Sequence, residues 1–83
     1  MRVLYFAWLR ERVGAAEEEI VLPEHVQTVA DVVAHLSALD EEHAHAFAEP
    51  GAVRAALDKR VSEADAPIAG ASEIAFFPPM TGG

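Results

Sequence analysis

Cysteine is absent from the 83 residues, and that gap removes several chemistries at once. No disulfide staples the fold, no thiolate ligates zinc or acts as a nucleophile, and no side chain holds sulfur as a persulfide. Positive charge is scarce: 6 Lys and Arg stand against 14 Asp and Glu, for a formal net charge of -8. The acids are dispersed, with short runs at Glu17-Glu18-Glu19 and Asp40-Glu41-Glu42. Nucleic-acid binding requires a basic patch, so no nucleic-acid partner is expected. Long apolar runs are missing too. The stretch from Val3 to Leu9 is too short to cross a bilayer and meets Arg10-Glu11-Arg12 at once, with no cleavage region of a signal peptide. A cytoplasmic chain with no membrane contact is expected.

The length suits one domain. A domain this short buries only about 60–65% of its unfolded surface, so its core is thin. A deep catalytic cavity would consume that core, which directs attention to a surface or a terminus.

Val3 to Trp8 is rich in aromatic and β-branched residues and reads as a strand apolar on both faces, with Val3, Tyr5 and Ala7 on one side and Leu4, Phe6 and Trp8 on the other. Leu9 to Val13 reads as a helical turn stopped by Gly14, and Glu18 to Leu22 as a second strand ended by Pro23. Thr28-Val29-Ala30-Asp31 has the form of a capping box, and Val29, Val32, Val33, Leu36 and Leu39 recur at helical spacing after it. Glu41 to Glu49 reads as a shorter helix broken by Pro50-Gly51. Val53 to Leu57 and Arg60 to Ser62 flank a turn at Asp58-Lys59, and Glu73 to Phe77 is a final strand stopped by Pro78-Pro79. The expected class is α+β: one mixed sheet with one main helix packed on one face, the apolar first and last strands adjacent and parallel at its centre. Residues 1–77 would form the domain and 78–83 an extended tail.

That tail carries the strongest chemical signal. Two prolines end the sheet and favour an extended path, and Gly82 and Gly83 have no side chains, so the last peptide can thread a narrow channel. Pro78 to Gly83 can reach roughly 20 Å. A carboxylate at the end of a thin tail is a natural substrate for activation with ATP, after which it accepts sulfur or an amine. Taken alone, a terminal Gly-Gly is also what ordinary fraying or a fusion remnant leaves.

Val3-Leu4-Tyr5-Phe6-Ala7, Arg10-Glu11 followed by Val13-Gly14, Val61-Ser62 with Gly70, and above all Phe76-Phe77-Pro78-Pro79-Met80-Thr81-Gly82-Gly83 resemble the small, sulfur-carrying subunits of molybdopterin synthase. Asp58 stands where that family often has asparagine and Met80 where valine is common, while Ala38 to Arg54 carries little of the pattern. The resemblance implies a ubiquitin-like β-grasp fold and a non-catalytic sulfur carrier. Gly83 would be adenylated by an E1-like activating enzyme that uses ATP, then converted to a thiocarboxylate by a sulfur donor protein. Pro79, Met80, Thr81, Gly82 and Gly83 would enter partner active sites, and the synthase large subunit would pass the sulfur to a pterin precursor. Two small subunits with two large ones are implied, with no stably bound cofactor beyond the covalent sulfur. Leu4, Phe6 and Phe77 form the expected partner interface. A ubiquitin-like modifier, or a carrier for thiamine or tRNA thiolation, would use the same terminus.

The remaining candidates are weaker. His43 and His45 are two residues apart, which on a helix points them in different directions, so no metal site is expected. Ser37, Ser62 and Ser72 belong to no nucleophile motif, and Lys59, the one lysine, is assigned to a turn.

Overall fold

A computed structural model describes residues 1–49 and 51–79. The apolar start of the chain becomes β1 (Arg2–Tyr5), shorter than the sequence reading. Ala7 takes φ 56° and ψ -134°, a positive-φ conformation uncommon outside glycine, and turns the chain so that Trp8 opens α1 (Trp8–Val13). The run expected to be a single strand to Trp8 is thus divided between two elements. The turn seats Leu9 fully in the core and lays the Trp8 ring beneath the Arg12 guanidinium, 4.5 Å from its centroid. Gly14 closes α1 at φ 88°, its N–H donating to the Arg10 carbonyl at 2.9 Å, which is the left-handed stop expected of it.

The second strand also differs from expectation. β2 is Glu17–Glu19, antiparallel to β1, and not Glu18 to Leu22. Met1 and Ile20 still exchange hydrogen bonds at 2.9 and 3.0 Å, after which the chain leaves the sheet toward Pro23 and Val21 is exposed.

α2 (Val29–Ser37) starts at the capping box: Thr28 Oγ1 accepts the Asp31 N–H at 3.2 Å, and Asp31 Oδ2 accepts the Thr28 and Gln27 N–H groups at 3.2 and 3.0 Å. Val29, Val32 and Leu36 form its buried stripe, each contributing roughly 1.5–3 kcal/mol by leaving water. Leu39 does not extend that stripe. The helix closes at Ala38 with tight bonds to His35 and Leu36 carbonyls, and Leu39 is 45% exposed beyond it. Asp40 then caps α3 (Glu41–Ala46), whose end falls three residues before the expected Glu49 because Phe47 turns into the core.

β3 (Arg54–Leu57), β4 (Arg60–Ser62) and β5 (Glu73–Phe77) follow, β3 and β4 joined at Asp58 and Lys59, both at positive φ. Among the described residues there are five strands, in the order β2-β1-β5-β3-β4. The expected central pairing is present: β1 and β5 run parallel, with Val3 opposite Ile74 and Tyr5 opposite Phe76. All three helices contribute to one core, where Leu9, Val32, Leu36 and Ala46 meet Val3, Tyr5, Ile74 and Phe76.

Candidate functional site: the uncovered sheet face and the root of the tail

Side chains alternate across a strand, so the residues between the core positions must emerge on the other face. On β1 these are Arg2, Leu4 and, just beyond the strand, Phe6; on β5 they are Glu73, Ala75 and Phe77. Register continues the pattern across the sheet. Leu4 pairs with Ala75, Ala75 with Ala56, and Ala56 with Val61, which makes one apolar row over four strands. Its middle is two alanines, Ala56 at 8% and Ala75 at 9% exposure, buried between their larger neighbours, so the row is flat, and none of the four belongs to the cluster that the helices cover. Val61 is 62% exposed at one end of the row.

A second row runs beside it, where β5 ends. Phe77 stands opposite Arg54, and the Phe6 N–H donates to the Phe76 carbonyl at 3.0 Å, which brings Phe6 alongside. Phe6 is 50% exposed, while Leu4 and Phe77 are half-buried. Pro78 and Pro79 follow, and their missing N–H groups stop the ladder at that point. The three residues expected at a partner interface are therefore neighbours on one face, at the root of the tail. Met80, Thr81, Gly82 and Gly83 lie outside the described residues.

The opposite border is charged. Arg2 Nη2 donates to Glu73 Oε1 at 2.7 Å and Arg2 Nε lies 4.0 Å from Glu17 Oε2. The hydrogen bond and the charge of Glu73 push the Arg2 pKa further up, so that end stays ionic. Asp58 Oδ1 accepts the N–H groups of Ser72 and Glu73 at 3.1 and 3.0 Å, fixing the start of β5. An apolar strip bordered by charge at one end and aromatics at the other can bury itself against a protein surface in one orientation.

Sequence reading missed Ala56, Ala75 and Val61 as parts of this face. The alternation within Glu73 to Phe77 was available, but alanine gives no signal by itself, and Val61 takes its place only through register with Ala56. The described residues contain no group of three His, Asp or Glu side chains placed to hold a metal ion. None of the described helices is long and apolar enough to cross a membrane.

Comparison with known proteins adds the tail to this picture. Residues 3–83 match the ThiS family. The molybdopterin synthase sulfur carrier subunit of Escherichia coli is 36% identical over 83 residues, covering 100% of this chain and 99% of that protein. The subunit of the same name from Haemophilus influenzae is 34% identical, with the same coverage of both chains. Among solved structures, a Pyrococcus furiosus protein assigned as molybdopterin converting factor, subunit 1, superposes with a TM-score of 0.75 at 28% identity, covering 95% of each chain. SAMP1 from Haloferax volcanii shares the fold, with a TM-score of 0.69 at 24% identity over 100% of this chain and 98% of that one.

Proposed function

The chain belongs to the ThiS family, with a ubiquitin-like fold, and on that premise we propose that it is the sulfur carrier of a molybdopterin synthase, supplying sulfur from its own C-terminus. The observation that carries this reading is the extent of the similarity, which runs to Gly82-Gly83 and includes full-length relatives named as sulfur carrier subunits. The uncovered face supports it, because a carrier with no catalytic constellation must be recognised by others.

The chemistry follows from what a carboxylate needs. One oxygen of the Gly83 carboxylate attacks the α-phosphorus of ATP on an E1-like activating enzyme, and pyrophosphate leaves. A donor protein's persulfide then attacks the acyl carbon of the resulting adenylate and expels AMP, and a second thiol cleaves the acyl disulfide so formed, which leaves a thiocarboxylate and a disulfide on the donor side. Without cysteine, the terminal acyl group is the place for sulfur on this chain. Pro79 to Gly83 then enter the large subunit, the thiocarboxylate sulfur attacks a pterin precursor, water cleaves the acyl–sulfur bond and returns Gly83 to a carboxylate, and a second carrier delivers the second sulfur in the same way. Leu4, Phe6 and Phe77 seat the domain while the tail is in the partner's site. The carrier catalyses no step, holds no stable cofactor, and acts in the cytoplasm, in an assembly of two small and two large subunits.

The test is the intact mass of the chain isolated from its own cells, with fragmentation of the C-terminal peptide. A sulfur-for-oxygen exchange at Gly83 is expected. An unmodified terminus, both there and after incubation with the activating enzyme, ATP and a sulfur donor, would overturn the reading. An isopeptide bond to lysine would replace it with protein modification.

A further inference from the structure

Of the four histidines, His43 alone is buried, at 5% exposure. Its Nδ1 lies 2.7 Å from Asp40 Oδ1 and its Nε2 lies 2.8 Å from Glu18 Oε2. A neutral imidazole has one N–H, so with a carboxylate at each nitrogen one contact would set a lone pair against an anion. The imidazolium has two N–H groups and satisfies both. Each carboxylate oxygen also accepts a second hydrogen bond: Asp40 Oδ1 from the His43 backbone N–H at 2.8 Å, and Glu18 Oε2 from the Tyr5 hydroxyl at 2.8 Å. Those donors leave the proton of the cluster on the ring.

We infer that protonated His43 is a clasp that ties α3 to the β1–β2 hairpin, and that losing this proton loosens the helix from the hairpin. The inference does not depend on the sulfur-carrier reading, and either can fail alone.

The surroundings are consistent with one cation among acceptors. β1 brings Tyr5, β2 brings Glu18, and the cap of α3 brings Asp40. From α1, the Arg12 guanidinium reaches the His45 carbonyl at 3.4 Å. From α2, Asp31 is committed to the Gln27 and Thr28 amides, and His35 lies near the C-terminus of that helix. Burial works against charge on the ring, but the hydrogen bonds and charges of Glu18 and Asp40 outweigh it and raise the His43 pKa above its ordinary value. The Asp40 carboxyl is held low, first by the His43 backbone N–H. A raised folded-state pKa means that the stabilisation is complete below the unfolded value, about 6.5, and is lost as pH rises through the folded one.

The clasp also bears on the root of the tail. His43 meets the Tyr5 ring edge-on at 6.1 Å, and Phe47, at the end of α3, packs edge-on against Phe76 at 4.9 Å. Loosening α3 withdraws Phe47 from the residue that precedes Phe77.

The experiment is a titration of the imidazole nitrogens of the 15N-labelled chain by long-range 1H–15N NMR, from about pH 5 to about pH 9. His25, His35 and His45 serve as internal references. Both His43 nitrogens should be protonated at neutral pH, with a midpoint above those of the other three. Glu18→Gln should lower that midpoint, by removing both the hydrogen bond and the charge that favour the imidazolium. The melting-temperature difference between the wild type and His43→Gln should narrow as pH rises through the midpoint, since every other group is common to both proteins. A single protonated nitrogen at neutral pH, a midpoint among or below the reference histidines, or one unmoved by Glu18→Gln would overturn the clasp. So would equal loss of stability in His43→Gln. If that variant does not fold, the wild-type and Glu18→Gln titrations decide.

Discussion

Phe76 and Phe77 are consecutive on β5 and face opposite sides of the sheet: Phe76 is fully buried beside Tyr5 and Phe47, and Phe77 lies half-buried on the uncovered face opposite Arg54. The same substitution should therefore have two different consequences. Phe76→Ala is expected to cost about 3–5 kcal/mol of folding stability, a large share of what a domain this size possesses. On the proposed function, Phe77→Ala is expected to weaken binding of the synthase large subunit by about 2 kcal/mol, roughly thirtyfold, with a much smaller effect on melting. Calorimetric binding and thermal melts of both variants make the comparison. Wild-type affinity for Phe77→Ala would remove the docking role.

The terminus should tolerate almost no change. Appending one alanine after Gly83 moves the acyl carbon by up to about 3.6 Å, and a misplacement of about 1 Å can cost two orders of magnitude in rate. On the proposed function, deleting Gly83 or adding the alanine should abolish molybdopterin formation in a reconstituted assay and leave melting unchanged, because among the described residues the core's last member is Phe76 and the last strand ends at Phe77. Near-normal product from the extended chain would mean that Gly83 is not the chemical end.

The α2 cap gives a stability prediction with a pH signature. Thr28→Ala removes the acceptor for the Asp31 N–H and should cost about 1 kcal/mol, or about 4–8 °C in melting temperature. Asp31 itself is held below the ordinary carboxyl range, first by the Gln27 N–H and also by Thr28. A lowered folded-state pKa places its contribution above the unfolded value, to be lost as pH falls through the folded one. The stability difference between wild type and Asp31→Asn should therefore be full near neutrality and narrow in acid.

Asp58 holds the β3–β4 turn at φ 46° and receives the Ser72 and Glu73 amides. Asp58→Ala should destabilise by about 1–2 kcal/mol through the lost acceptors and the positive φ, whereas Asp58→Asn, which keeps an oxygen acceptor and tolerates that φ, should stay close to wild type. Chemical denaturation measures both.

Much of the fold was legible because local signals agreed with one another. The Thr28–Asp31 cap, Gly14 as a helix stop, the limits of β4 and β5, and the parallel pairing of the most apolar strands all follow from short-range chemistry and pattern. What failed was set by tertiary demand. The positive φ of Ala7 was unpredictable because alanine rarely adopts it, and it divided an apolar run at a place no residue type marked. The burial of His43 was not legible, because one of its two carboxylate partners, Glu18, is 25 positions away. Leu4, Phe6 and Phe77 were legible as one face from strand parity, but the alanines between them came only from register.

The parallel pairing of β1 and β5 has a mechanical consequence. β5 lies between β1 on one side and β3 on the other. A pull transmitted through Pro79 along the axis of β5 meets an interior strand, not an edge. Such a pull loads the hydrogen bonds of both ladders together, in shear, and cannot peel them one at a time. A partner can therefore draw on the terminus with considerable force, and the domain behind it will resist as a single anchored body.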